Sequence, residues 1–244
     1  MSEQIISDTQ RKALEGFVHP AVFESPESEF GYYGIGTIFT VKFKGSYYAI
    51  TAKHIINKPW NSSADLRILL RNYEHTVPFD RESAFPDDDN MSNDILIFRI
   101  DTQRLESNPP PNLQFMNLDS FSVPDHQNLD DHLFLVCGYP GCRRSYDYDN
   151  KKVVARITII EGSHVETSLQ NEVSTINVNY DHIEDPNGLS GSPVMLISSE
   201  TPLLAGMVLL STSKSRLIHF MDTKAILRAL NTVHAKEIEL QQLQ

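Results

Sequence analysis

The sequence predicts an all-β protein that ends in a helix. Short segments rich in β-branched and aromatic residues recur along the chain, separated by turn-forming stretches, a pattern that favours an antiparallel barrel or sandwich over a parallel α/β sheet. At 244 residues the chain suits one large all-β domain or two smaller ones, and a double barrel fits that range. It is long enough to bury a substantial core without covalent staples.

Taken in order, residues 1–30 read as a leader. Asp8 to Phe17 can form a short helix capped by Ser7 or Asp8 and ended by the Gly16 to Pro20 region. Pro, Ser and Glu then dominate up to Phe30 and read as an extended connection. From Tyr32 onward the pattern becomes β. Thr37 to Phe43 is a strand, Gly45-Ser46 a turn, and Tyr47 to Thr51 the returning partner. Further strands are expected at Leu66–Leu70, Asp94–Ile100, Leu133–Cys137, Val153–Glu161, Val173–Val178, Val194–Ile197 and Leu204–Leu210. Ser107 to Asp130, with prolines from Pro109 to Pro111 and little periodicity, reads as a connection between two halves (about residues 107–130). Residues 222–244 read as a helix whose Ile226, Leu227, Leu230 and Val233 share one face. No internal repeat is visible.

The net charge of −11, with no basic block, argues against nucleic acid and against anionic membrane surfaces as partners. No apolar run approaches the roughly 18 residues that a membrane span needs, and Met1-Ser2-Glu3-Gln4 opens no secretory signal. With Cys137 and Cys142 as its two cysteines, the chain is expected in a reducing cytoplasm with both thiols free, a Cys137–Cys142 loop being the alternative. A zinc site lacks a second cysteine pair or a nearby histidine pair.

Three fragments carry chemistry: Thr51-Ala52-Lys53-His54, then Asn93-Asp94-Ile95-Leu96-Ile97, then Gly188-Leu189-Ser190-Gly191-Ser192-Pro193. A serine hydroxyl is a poor nucleophile near neutral pH and needs a base within hydrogen-bond reach. Histidine fits that role, and its ring needs a carboxylate to fix its tautomer. His54 follows a strand and precedes an apolar turn, expected to be helical. Asp94 enters an apolar strand, where a charge is costly unless paired. Ser190 lies in a Gly-x-Ser-Gly-x-Pro setting with a strand, not a helix, after it. The amides of Gly188 and Ser190 can point together at a developing oxyanion, along a backbone path that Gly188 makes accessible. Among the nine histidines, His19, His75, His126 and His234 are expected at the surface or in loops. Asp87-Asp88-Asp89-Asn90 lacks the spacing and terminal glutamate of a calcium loop and reads as a solvated acidic loop.

In this order and these settings, the fragments resemble the short bacterial trypsin/chymotrypsin-fold serine peptidases over about residues 31 to 233. Gly34-Ile35-Gly36-Thr37 resembles the strand that opens the first barrel of that family. Gly138-Tyr139-Pro140-Gly141 resembles a turn of the second, and Gly206 to Ser211 the strand that pairs with substrate backbone. The resemblance implies two antiparallel six-stranded β-barrels, chymotrypsin-like, with the C-terminal helix. It implies His54 as base, Asp94 as its orienter, Ser190 as nucleophile, Gly188 and Ser190 as oxyanion donors, and Leu209, Leu210 and Ser211 as a substrate-binding wall. No cofactor and no metal is called for.

The chain departs from the family at three places. Leu189 stands where digestive enzymes carry the aspartate that receives a newly cut N-terminus. Ser211 replaces a common glycine at the pocket wall. Glu184, six residues before Ser190, falls near the base of the primary pocket by counting and would favour Arg or Lys at the cleaved position. The expected function is a gated intracellular serine endopeptidase acting on protein or peptide substrates, held in check by a partner, ligand or autoprocessing. A peptide-binding module with weak or absent turnover, and an esterase on the same site, are the alternatives. The last helix extends past the usual family end and packs on the second barrel or docks a partner.

Overall fold

Side chains alternate across a strand, so each strand with a buried face has an inward and an outward set to place. The computed structural model describes residues 8–25, 31–56, 62–70, 77, 79–85, 90–107, 113–119, 132–147, 149, 152–166, 169–179, 183, 185–197 and 202–242. The first half holds helices α1 (Asp8–Phe17) and α2 (Thr102–Ser107) and strands β1 (Val18–Glu24), β2 (Tyr32–Phe43), β3 (Ser46–Thr51), β4 (Leu66–Ile68), β5 (Phe79–Ala84) and β6 (Leu96–Ile100). They form a sheet in the order β4-β1-β2-β3-β6-β5. A seventh strand, β7 (Met116–Asn117), pairs with β2 in parallel.

The second half begins at β8 (Leu133–Gly138), followed by a separate hairpin of β9 (Arg144–Asp147) and β10 (Lys152–Ala155). Strands β11 (Thr158–Val165), β12 (Val173–Val178), β13 (Pro193–Ile197), β14 (Leu203–Thr212) and β15 (Leu217–Asp222) then close a barrel with β8 in the order β11-β12-β15-β14-β13-β8. Numbering the six strands of each half separately, both sheets follow the order four-one-two-three-six-five. The halves therefore share one connectivity although no sequence repeat is visible. The ladder between β13 and β14 closes the second barrel. The equivalent pairing of β4 with β5 is not formed among the described residues.

The inward residues of the second barrel, among them Phe134, Val136, Ile176, Val194, Leu196, Val208 and Phe220, make one apolar cluster. The outward residues on the same strands, Leu135, Cys137, Met195, Met207 and Met221, join the core of the first half. A single apolar body therefore runs through the first sheet, the join between halves and helix α3 (Thr223–Gln242). Ala225, Ile226, Ala229, Leu230 and Val233 bury one stripe of α3. The helix reaches from the second half to the first: the Thr223 hydroxyl donates to the Leu204 carbonyl at 2.5 Å, while near the other end the buried Tyr48 donates to Glu237 at 3.0 Å.

Several sequence expectations need correction. Residues 1–30 are not all leader, because Val18 to Phe23 are buried and β1 is an inner strand between β2 and β4. β1 ends at Glu24, and residues 26–30 lie outside the described residues. The stretch expected as one strand at Val153–Glu161 divides into β10 and β11. The connection 107–130 contributes β7, its other residues from 120 onward lying outside the described residues. His19, expected at the surface, is 3 % exposed on β1. His234 bonds to Tyr48 at 3.3 Å, and His75, His126 and the acidic loop Asp87 to Asp89 lie outside the described residues. Both thiols are free, Cys137 buried and Cys142 exposed.

Candidate active site

The site is built at the seam between the halves. β3 ends at Thr51, and Lys53–Ile56 turn at once into a short 3-10 helix that carries His54. Asp94 closes a second 3-10 turn, Met91–Asn93, immediately before β6. β3 and β6 are paired neighbours, so the two turns leave the sheet side by side, and the Lys53 amide donates to the Asp94 carbonyl at 3.4 Å. The Asp94 carboxylate then accepts two hydrogen bonds from one residue, the His54 amide at 2.8 Å and the ring Nδ1 at 2.6 Å.

From the other half, Ser190 reaches the opposite ring nitrogen, with Oγ 2.8 Å from His54 Nε2. The structure thus brings His54, Asp94 and Ser190 into one continuous chain of hydrogen bonds across 136 residues of sequence. Such a chain can pass the serine proton to the ring while the carboxylate balances the imidazolium.

The turn that carries Ser190 is set by two glycines. Gly188 has φ +97° and Gly191 has φ +84°, left-handed conformations that favour glycine. A Cβ on Gly191 would lie 2.1 Å from the Thr37 carbonyl oxygen, and one on Gly188 would lie 2.7 Å from that of Tyr139. Thr37 pins the turn to β2. Its amide donates to the Ser190 carbonyl at 3.0 Å, and its hydroxyl donates to the Gly188 carbonyl at 2.9 Å while accepting from the Tyr139 amide. Gly191 donates to the Val208 carbonyl and Val208 to that of Ser192, both at 2.9 Å, which fastens the turn to β14. Neither the Gly188 nor the Ser190 amide donates to an acceptor among the described residues.

A search for a matching family model and a search of curated proteins found no match. Solved structures do match. A thermostable serine protease AL20 from an extremophilic microorganism superposes with a TM-score of 0.56, at 10 % identity, over 91 % of this chain and 98 % of its own. A protein named HBP superposes with a TM-score of 0.61, at 13 % identity, over 92 % and 94 %. The chain has a trypsin-like fold.

Within this trypsin-like fold the other expected site residues fall as follows. Leu209, Leu210 and Ser211 continue β14 directly from Val208, so they run outward from the Ser190 turn. Leu209 is buried toward the join between halves, Leu210 is exposed and Ser211 half-buried. Glu184 lies outside the described residues. Leu189 is fully buried in the second barrel's own core. Thr37 was not singled out by the sequence reading as part of the site. Its one signal was a place in the Gly34-Ile35-Gly36-Thr37 stretch, which does not show that it braces a turn 151 residues away.

Proposed function

We propose that the protein is a serine endopeptidase, gated by a partner, ligand or autoprocessing. The observation that carries the endopeptidase reading is the unbroken line from Asp94 through His54 to the Ser190 hydroxyl, beside two amides that no group among the described residues occupies. In this reading Ser190 Oγ attacks the scissile carbonyl as its proton passes to His54 Nε2, and the oxyanion is met by the Gly188 and Ser190 amides. The carbon–nitrogen bond breaks as His54 returns the proton to the leaving amine. Water, deprotonated by the same ring, then releases the acid from Ser190. Each amide donor is worth about 2.7–4 kcal/mol of barrier in comparable sites. The peptide backbone lies against Leu209 to Ser211, and Glu184 is the proposed acid for an Arg or Lys side chain.

The test is labelling of the purified chain by a fluorophosphonate, followed by cleavage-site profiling against a peptide pool. Wild type is expected to label at Ser190, and Ser190→Ala to show no labelling and a loss of turnover on the order of a millionfold. Asp94→Asn is expected to lose about ten-thousandfold with the fold intact. Casein is expected to be cut slowly by the chain alone. Peptide binding without labelling would instead identify a binding module.

A further inference from the structure

Among the described residues, both carboxylate oxygens of Asp94 are bonded by His54 alone. No other side chain among the described residues fixes the carboxylate, so its position depends on the turn Met91–Asn93 that Asp94 ends. The first amides of any helical turn have no partner inside it. Here the Ser92 amide is taken locally by Asn90 Oδ1 at 3.1 Å. The Met91 amide is taken from the other half of the molecule, by Gln170 Oε1 at 2.7 Å.

A second tie runs parallel to the first. The buried Ser92 hydroxyl donates to Asn90 Oδ1 at 2.9 Å and accepts from Arg228 Nη2 of α3 at 3.3 Å. Arg228 Nη1 is ion-paired with Glu172, two residues beyond Gln170 in the loop between β11 and β12. Glu172 has φ +61°, a left-handed backbone that non-glycine residues adopt at a cost. Its carbonyl accepts the Asp222 amide at 2.9 Å, where β15 leads into α3. An ion pair as exposed as Arg228–Glu172 adds little stability. What it supplies is direction, since it aims the guanidinium at Ser92.

We infer that Gln170 and Arg228 are positioning residues: from the second barrel and its trailing helix they clamp the Met91–Asn93 turn and so hold Asp94 against His54. The consequence for rate rests on the proposed function, whereas the geometry does not. Movement of α3 or of the 169–172 loop slackens the carboxylate without touching Ser190, which gives the second half control over a residue of the first.

The test compares Gln170→Ala, Arg228→Ala and the double variant in the full chain, with Lys224→Ala as a control on exposed α3 surface. Three quantities are read: the fluorophosphonate labelling rate at Ser190, the downfield proton resonance of the His54–Asp94 hydrogen bond, and the melting temperature. Each single variant is expected to label about tenfold more slowly and the double about a hundredfold, in line with what small misplacements cost elsewhere. The resonance weakens in the same order, melting stays with the control, and Arg228→Lys recovers part of the rate. Unchanged rate and resonance in the double variant would overturn the clamp, as would a rate loss that merely follows unfolding. If wild type does not label, the proposed function fails, and the resonance alone then decides the clamp. Its presence in wild type and loss in the double variant supports the inference, and its absence from wild type overturns it.

Discussion

His19 is a buried base with no acid beside it among the described residues. Its Nε2 has no hydrogen-bond partner among them, and burial pushes its pKa down to about 4 against the opposing pull of a hydrogen bond with the Gly16 backbone. The unfolded chain therefore binds a proton near pH 6.5 that the folded chain refuses until about pH 4. Stability from this group is fully present above pH 6.5 and is lost as the pH falls through that window, by up to about 3 kcal/mol. Urea unfolding at pH 7, 6 and 5 is expected to show a steeper decline in wild type than in His19→Phe; parallel curves would refute it. The same residue marks the limit of reading single positions. His54, Asp94 and Ser190 each sit in a local setting with a chemical signature. His19 and Thr37 owe their situations to strand pairing with residues far along the chain, and nothing beside them announces it.

At the scale of elements, strands with an unbroken β-branched or aromatic run were legible, and β2, β3, β8 and β12 lie where the pattern put them. The misses have physical causes. β5, Phe79–Ala84, is charged on its exposed face and half-buried on the other, so its alternation is weak. β1 contains Pro20, which usually demotes a segment as a strand. The Ser190 turn offers the sharpest prediction of this kind. Leu189 anchors it by full burial in the second barrel's core, an apolar peg in place of an ion pair. Leu189→Asp would bury an unpaired carboxylate and is expected to cost about 3–5 kcal/mol. Melting should fall by several degrees. Full labelling of that variant at Ser190 with wild-type melting would show that the peg does not set the turn.

Across the whole molecule, the architecture was legible from the order of the fragments and their resemblance, yet its internal symmetry was not. The two sheets repeat one strand order with different side chains, because connectivity constrains which segments pair and not which apolar residues fill the space. The join between halves belongs to the larger apolar cluster, and α3 spans it from Thr223 to Glu237. The halves are therefore expected to unfold together. Far-ultraviolet and near-ultraviolet circular dichroism should give coincident urea transitions. Two separated transitions would show that each half stands alone.

The inner place of β1 bears on how such a polypeptide can be trimmed. Its ladders to β2 and β4 make residues 18 to 24 the middle ribbon of three. Clipping ahead of α1 leaves those ladders whole, whereas loss of the chain up to residue 25 strips both neighbours of their partner at once. N-terminal trimming that keeps the first sheet whole has to fall ahead of β1.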